Sequence, residues 1–229
     1  MDYKISRPYE AVSRWIIKYC FGRYLHHPAL KVIGGVKRDM RHHGRTLSFL
    51  KALVMNPRAT GAILPSSKRL ARAMVAHIKF TDETLVVELG AGTGVITQAM
   101  LDCGIPSQQI IAVEYSPHLV KKLRQGFPGI TVIEGDAAHL VALLKDKAQP
   151  VGTIISGLPL RSLPVEMKDS ILTAISDVLS VKGRYIQFTY DIRKNKDSYY
   201  PDHYKLAESA IVWRNIPPAK VGVYTLESL

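Results

Sequence analysis

Val86-Val-Glu-Leu-Gly-Ala-Gly-Thr-Gly94 is the stretch that decides the fold. An apolar β-type run enters three alternating glycines, and a helix-forming stretch opens near Val95. Small residues let the backbone turn tightly and approach a ligand, while the amide hydrogens of the helix start face it. Working outward, similar runs recur at 110–114, 130–134, 151–155 and 184–188. Between them the spacing predicts helices over about 94–103, 117–126, 137–147 and 164–179, with Pro117 and Pro164 at the starts and Gly104, Gly126 and Gly183 near the stops. Alternation of this kind means βαβ units, hence a doubly wound, mostly parallel sheet with helices on both faces. Two further runs, 210–214 and 220–226, are linked by so few residues that an antiparallel pair closing a seven-stranded sheet is expected. Upstream, Leu47, Leu50, Leu53 and Val54 share a helical face that stops at Pro57. Ser66 or Ser67 is then placed to cap a helix whose apolar face is Leu70, Met74 and Ile78.

Acids mark the ends of the first three strands. Glu88 closes the first, Glu114 the second and Asp136 follows the third. An acid at the second strand end can accept hydrogen bonds from both ribose hydroxyls, and one after the third can accept from an adenine amine. All three face the sheet edge where such folds bind ligands. A Walker A loop is excluded because Val95 and Ile96 follow Gly94 where Lys and Ser/Thr would stand. Glu88 beside the turn disfavours a pyrophosphate and suits a cofactor with a cationic group. The pattern resembles the S-adenosylmethionine-dependent methyltransferases with a Rossmann-like fold, over about residues 60–229. A dehydrogenase is the weaker alternative, since its glycine spacing differs and lacks the preceding acid. By that resemblance Glu88, Gly90, Ala91, Gly92 and Gly94 wrap the methionine part of S-adenosylmethionine. Glu114 with Tyr115 holds the ribose, Asp136 with Ala137 holds the adenine, and Ser66 and Ser156 complete the cofactor-binding set.

After the fourth strand comes Ser156-Gly-Leu-Pro-Leu160. Methyltransferases acting on nucleobase amines carry Asn-Pro-Pro-Tyr/Phe or Asn-Ile-Pro-Tyr/Phe there, with the aromatic stacking on the base. Here Leu160 stands where the aromatic should be and Ser156 replaces Asn, so a flipped adenine fits poorly. The loop combines with Phe49-Leu-Lys-Ala-Leu-Val-Met-Asn-Pro57, Gly61-Ala-Ile-Leu-Pro-Ser-Ser67 and Gln187-Phe-Thr-Tyr190. Together they resemble the bacterial phospholipid N-methyltransferases, which methylate phosphatidylethanolamine toward phosphatidylcholine while docked on the membrane. The resemblance implies that Ser156, Gly157, Leu158, Pro159 and Tyr190 form the catalytic, acceptor side. It also implies phosphatidylethanolamine and its methylated intermediates as substrates. Two departures stand out: residues 1–45 are longer and more basic than the family's leader, and Asp191-Ile-Arg-Lys-Asn-Lys196 replaces a neutral stretch. No dedicated general base is evident; Asp191 is a candidate, but a surface acid followed by basic residues is the role its context favours. No metal site is expected, because Cys20 and Cys103 lack ligand spacing.

Charge sharpens the picture. The chain carries 31 Lys+Arg against 19 Asp+Glu among 229 residues, a net +12. The first 72 residues hold 15 of those bases and 3 of those acids, so the rest of the chain is neutral. On a helix over about 9–25, Val12, Trp15, Ile16, Tyr19 and Cys20 form an apolar arc with Arg14 and Lys18 opposite. Trp and Tyr favour the lipid–water interface, and each basic residue near an anionic surface adds about 1 kcal/mol. The same composition also fits a helix packed on the catalytic core; the lipid-enzyme resemblance favours the membrane. The organisation expected is therefore a basic amphipathic docking segment, 1–45, and a methyltransferase domain, 46–229. Tyr9, Arg14, Trp15, Lys18 and Tyr19 are the expected substrate and membrane contacts. No signal peptide or membrane span is legible at the start, and both cysteines read as reduced thiols. The expected location is cytoplasmic, peripheral on the inner face of the membrane. Nucleic acid is disfavoured as a partner. The competing functions are an RNA adenine dimethyltransferase and a non-catalytic methyltransferase-like adaptor.

Overall fold

A strand buried at every position needs cover on both sides, and strand β1 (Leu85–Leu89) receives it at the centre of a sheet. The computed structural model describes residues 67–192 and 199–227. The chain divides into two units, Met1–Ala62 and Ile63–Leu229, and every described residue belongs to the second. Ser66, the helical face at 47–54 and the docking segment with Tyr9, Arg14, Trp15, Lys18 and Tyr19 lie outside the described residues.

The remaining strands are β2 (Ile110–Glu114), β3 (Thr131–Glu134), β4 (Val151–Ser156), β5 (Leu179–Thr189), β6 (Tyr204–Val212) and β7 (Ala219–Leu226). They form one seven-stranded sheet in the order β3-β2-β1-β4-β5-β7-β6. Pairing is parallel from β3 through β5, and β7 is antiparallel to both β5 and β6. The strand order reverses between β1 and β4, which opens a crevice at their carboxyl ends.

Among the described residues five α-helices cover the sheet: α1 (Lys68–Val75), α2 (Val95–Asp102), α3 (Pro117–Gly126), α4 (Leu140–Leu144) and α5 (Val165–Val178). Ser67 caps α1, its hydroxyl accepting from the Leu70 amide at 3.2 Å. Leu70, Met74, Ile96 and Met100 from α1 and α2 pack on Val86, Ile155, Ile186 and Val221. Neighbouring residues on a strand point to opposite faces, so Tyr185 turns away from that cluster. Its ring meets Tyr204, whose hydroxyl donates to the Leu172 carbonyl of α5 at 2.6 Å. Helix α5 thus covers the second face. Among the described residues no helix is long and apolar enough to cross a membrane.

The central strands lie within a residue of the positions expected from the sequence, and β5 and β6 depart from them. Strand β5 begins at Leu179 directly after α5, because Ser180-Val-Lys-Gly183 continues the strand where a break was expected. The β4–β5 register shifts between Val151 and Thr153 to absorb the extra residues. Strand β6 starts at Tyr204 and ends at Val212; its solvent-facing edge positions carry little apolar pattern to read. The helix expected over 137–147 divides into a 3-10 turn at Ala137–His139 and the short α4.

Candidate cofactor and acceptor site

Every loop that leaves the carboxyl edge of β1 to β4 is stitched to its neighbour. The Gly90 amide donates to the Val113 carbonyl, the Gly135 amide to Glu114 and the Gly157 amide to Leu89, at 2.9, 3.1 and 2.8 Å. The glycine loop needs its composition most at two places. Gly94 begins α2 in the left-handed region, at φ 83°, and a β-carbon there would lie 2.3 Å from the Phe127 ring. Gly157 meets the loop from the other side: its β-carbon would lie 2.8 Å from the Gly90 carbonyl oxygen. The two loops therefore touch through backbone, and glycine is what permits the contact. Beside Gly92, by contrast, a β-carbon would approach only the Gly90 carbonyl, at 3.9 Å. That side of the loop is open.

The three expected acids have different surroundings. Glu88 lies one residue inside the end of β1 and is wholly buried under α2. Its Oε2 accepts from the Thr97 hydroxyl at 2.5 Å, and its Oε1 has no partner. Burial pushes the carboxyl up to about 8, with the Thr97 bond opposing and the nearby Glu114 charge assisting. The free protein thus holds Glu88 protonated at neutral pH. Glu114 is nearly buried, with Oε2 accepting from the Gly92 amide and Oε1 from the Ser116 amide, both at 2.8 Å. Those bonds fix the carboxylate against the glycine loop and leave further lone pairs on each oxygen. Asp136 spends Oδ1 on the Ala138 amide at 2.9 Å, capping the 3-10 turn that starts at the buried Ala137. Tyr115 is half-buried directly after Glu114.

Ser156 is fully buried on β4, and its hydroxyl accepts from the Leu158 amide at 3.2 Å. The hydroxyl thereby shapes its own loop. Gly157, Leu158 and Pro159 remain partly exposed, whereas Leu160 is buried in the core. A second tie comes from β5: buried Gln187 donates Nε2 to the Leu158 carbonyl at 3.0 Å and accepts the Tyr185 hydroxyl at 2.6 Å. Tyr190 is half-buried, edge-on to Phe188 at 5.4 Å and hydrogen-bonded to Asn215; burial raises its hydroxyl above the ordinary range. Asp191 pairs with Arg161 at 3.1 Å.

Thr97, Tyr185 and Arg161 escaped the sequence reading. Thr97 carried one available signal, a hydroxyl among the apolar residues Ile96, Ala99 and Met100 of one short helix. Arg161 gains its role from Asp191, distant along the chain, and Tyr185 from Gln187 on the same strand.

An orphaned buried carboxyl oxygen, an open glycine loop and a carboxylate held at the second strand end suit a ligand with an ammonium, a ribose and an adenine. S-adenosylmethionine has all three. Residues 86–183 match the family model described as "Methyltransferase domain". The chain is 31% identical over 180 residues to the ornithine lipid N-methyltransferase of Singulisphaera acidiphila, covering 77% of this chain and 92% of that one. It is 30% identical over 117 residues to ribosomal RNA small subunit methyltransferase A of Thermotoga petrophila, covering 50% of this chain and 43% of that one. The crystal structure of TrmN from Thermus thermophilus superposes with a TM-score of 0.58 at 18% identity, covering 78% of this chain and 53% of that chain.

Proposed function

This chain belongs to the class I S-adenosylmethionine-dependent methyltransferases, and from that premise we propose that it methylates the primary amine of a membrane-lipid head group. Phosphatidylethanolamine is the head group to which the acceptor-loop resemblance points. The observation that carries the lipid reading is the 31% identity that extends over 92% of an ornithine lipid N-methyltransferase. The same observation favours a second reading, in which the amine belongs to an ornithine lipid. Both lipids present a primary amine close to the bilayer surface, and the chemistry asked of the protein is the same.

S-adenosylmethionine supplies an electrophilic methyl group on a sulfonium. The chain's own residues bind and orient. Glu88 and the loop Gly90 to Gly94 would hold the methionine end, Glu114 the ribose, and Asp136 with Ala137 the adenine. The attacking amine needs its lone pair, so it must reach the site neutral and in line at about 3 Å. Gly157, Leu158 and Pro159 line its approach. Their position depends on Ser156 and Gln187, which grip the amide and carbonyl of Leu158. The amine gives its proton to water.

An RNA adenine substrate fits less well. Leu160 stands at the stacking position and is turned into the core, where no base can reach it. The intact glycine loop and the three acids disfavour a non-catalytic adaptor. On the lipid reading the enzyme works as a peripheral protein on the inner face of the cytoplasmic membrane, with segment 1–45 as its basic contact. Methyl-labelled cofactor incubated with vesicles of phosphatidylethanolamine, and separately with vesicles containing ornithine lipid, tests the proposal. Label in the lipid extract of either is expected, and the richer extract names the head group. Two unlabelled extracts from a protein that binds the cofactor would overturn it.

A further inference from the structure

The turn between β6 and β7, residues 213–218, carries two large apolar side chains that are exposed. Trp213 is 58% exposed and Ile216 86%. The other exposed large hydrophobic residues among those described, Phe80, Val141, Val165 and Val181, are scattered along the chain, Phe80 before β1 and the others on α4, α5 and β5. The register of the sheet places this turn on the functional edge: Val212 pairs with Ala219, and Lys220 pairs with Thr189 at the carboxyl end of β5. It therefore stands beside Tyr190, on the side from which the acceptor loop is approached.

The turn is held, not loose. Asn215 is 3% exposed and points inward, its Nδ2 donating to the Pro217 carbonyl at 2.5 Å and its Oδ1 accepting from the Ser67 hydroxyl. It also bonds the Tyr190 hydroxyl. With its polar side chain pinned beneath, the turn presents Trp213 and Ile216 outward. Arg69 donates to the Arg214 carbonyl at 3.3 Å, which brings the start of α1 against the same turn. Lys68, Arg69 and Arg214 are exposed there, and the first turn of α1 contains no acid.

We infer that this turn is a membrane contact: Trp213 and Ile216 enter the interface of an anionic bilayer while Lys68, Arg69 and Arg214 meet its phosphates. The inference rests on the reading that the substrate amine lies in a membrane, and it adds a site within the folded domain to the basic segment 1–45. Tryptophan is favoured where hydrocarbon meets head groups, and basic side chains are favoured over anionic lipid. A second copy of the chain suits the turn poorly. One Trp and one Ile are small beside the area of a stable interface, and a symmetric pairing would oppose the same arginines.

The test uses the full chain with Trp15→Phe, which leaves Trp213 as the remaining tryptophan of the two. Vesicles of phosphatidylglycerol with phosphatidylcholine are compared with phosphatidylcholine alone. Trp213 emission is expected to move to shorter wavelength on the anionic vesicles and to be quenched by brominated acyl chains. In the otherwise native chain, Trp213→Ser with Ile216→Ser is expected to weaken affinity for those vesicles about tenfold, with S-adenosylmethionine affinity unchanged. Unshifted, unquenched emission on vesicles that still bind the protein would overturn the inference. So would loss of self-association in the double variant with vesicle affinity intact, which would assign the turn to a second copy. Quenching of Trp213 without lipid methylation overturns the substrate reading and leaves the contact standing; methylation without quenching does the reverse.

Discussion

The two halves of the site are built differently. The cofactor half, at the ends of β1, β2 and β3, is centred on a local motif: an acid, a glycine loop and a helix start lie within a few residues, and Glu114 of the next strand grips the Gly92 amide of that loop and the Ser116 amide of its own turn. The acceptor half, at the ends of β4 and β5 and around the β6–β7 turn, is assembled from distance. Leu158 is held by Gln187, which is held by Tyr185, while Tyr190 leans on Asn215. A local design can be shared by many enzymes and still bind one cofactor. A distributed one lets the substrate change while the cofactor site stays fixed.

The contact between the halves is the place to break both. Gly157→Ala puts a β-carbon 2.8 Å from the Gly90 carbonyl, so the loops must part. Displacement of about 1 Å at a reacting geometry costs on the order of 100-fold. Turnover is expected to fall by that factor and cofactor affinity to weaken with it, as steady-state kinetics and calorimetry would reveal. Glu114→Ala acts on the cofactor half alone. A charge-assisted hydrogen bond contributes about 1.5–3 kcal/mol, so the dissociation constant for S-adenosylmethionine should rise about 10- to 100-fold. An unchanged constant would refute the ribose assignment.

Gln187→Leu acts on the acceptor half alone. It leaves the Leu158 carbonyl and the Tyr185 hydroxyl without their partner, and turnover should fall about tenfold. Cofactor affinity should stay at the native value; a parallel loss would show that the halves are not separable.

The smallest effect is the pH response of Glu88, whose carboxyl is pushed from 4.5 to about 8 by burial. The folded chain holds this proton more tightly than the unfolded chain, so its contribution to stability declines as pH rises between those values. A cationic ligand favours the ionised form, and its binding releases the proton. Cofactor affinity should therefore rise a few-fold with pH in the upper part of that window and level off above about 8. Glu88→Gln should flatten both profiles, as thermal unfolding and calorimetry across pH would show.

This contrast also explains what could be read from the chain. Strands β1, β2 and β4, the helix starts at Pro117 and near Val95, and the glycine loop rest on short-range rules, and they sit where periodicity and punctuation put them. The early start of β5 was hidden because Lys182 and Gly183 resemble a turn, and only pairing across the sheet makes them strand. Strand β6 was hidden because an edge needs no apolar alternation. In the site, the acids were legible as residues but not as charge states: nothing near Glu88 in sequence reveals that it is wholly buried with one oxygen unpartnered. Nor could spacing show that the Ser156 hydroxyl turns back on Leu158, or that Asn215 pins the Trp213 turn.

One competition experiment bears on the central claim most directly. The full chain is given methyl-labelled S-adenosylmethionine with vesicles of phosphatidylethanolamine and structured ribosomal RNA in the same tube, and lipid and RNA are then separated and analysed for N-methyl groups. The account predicts label on the lipid head-group nitrogen and an unlabelled RNA. Label on RNA adenines with an unlabelled lipid fraction would contradict it.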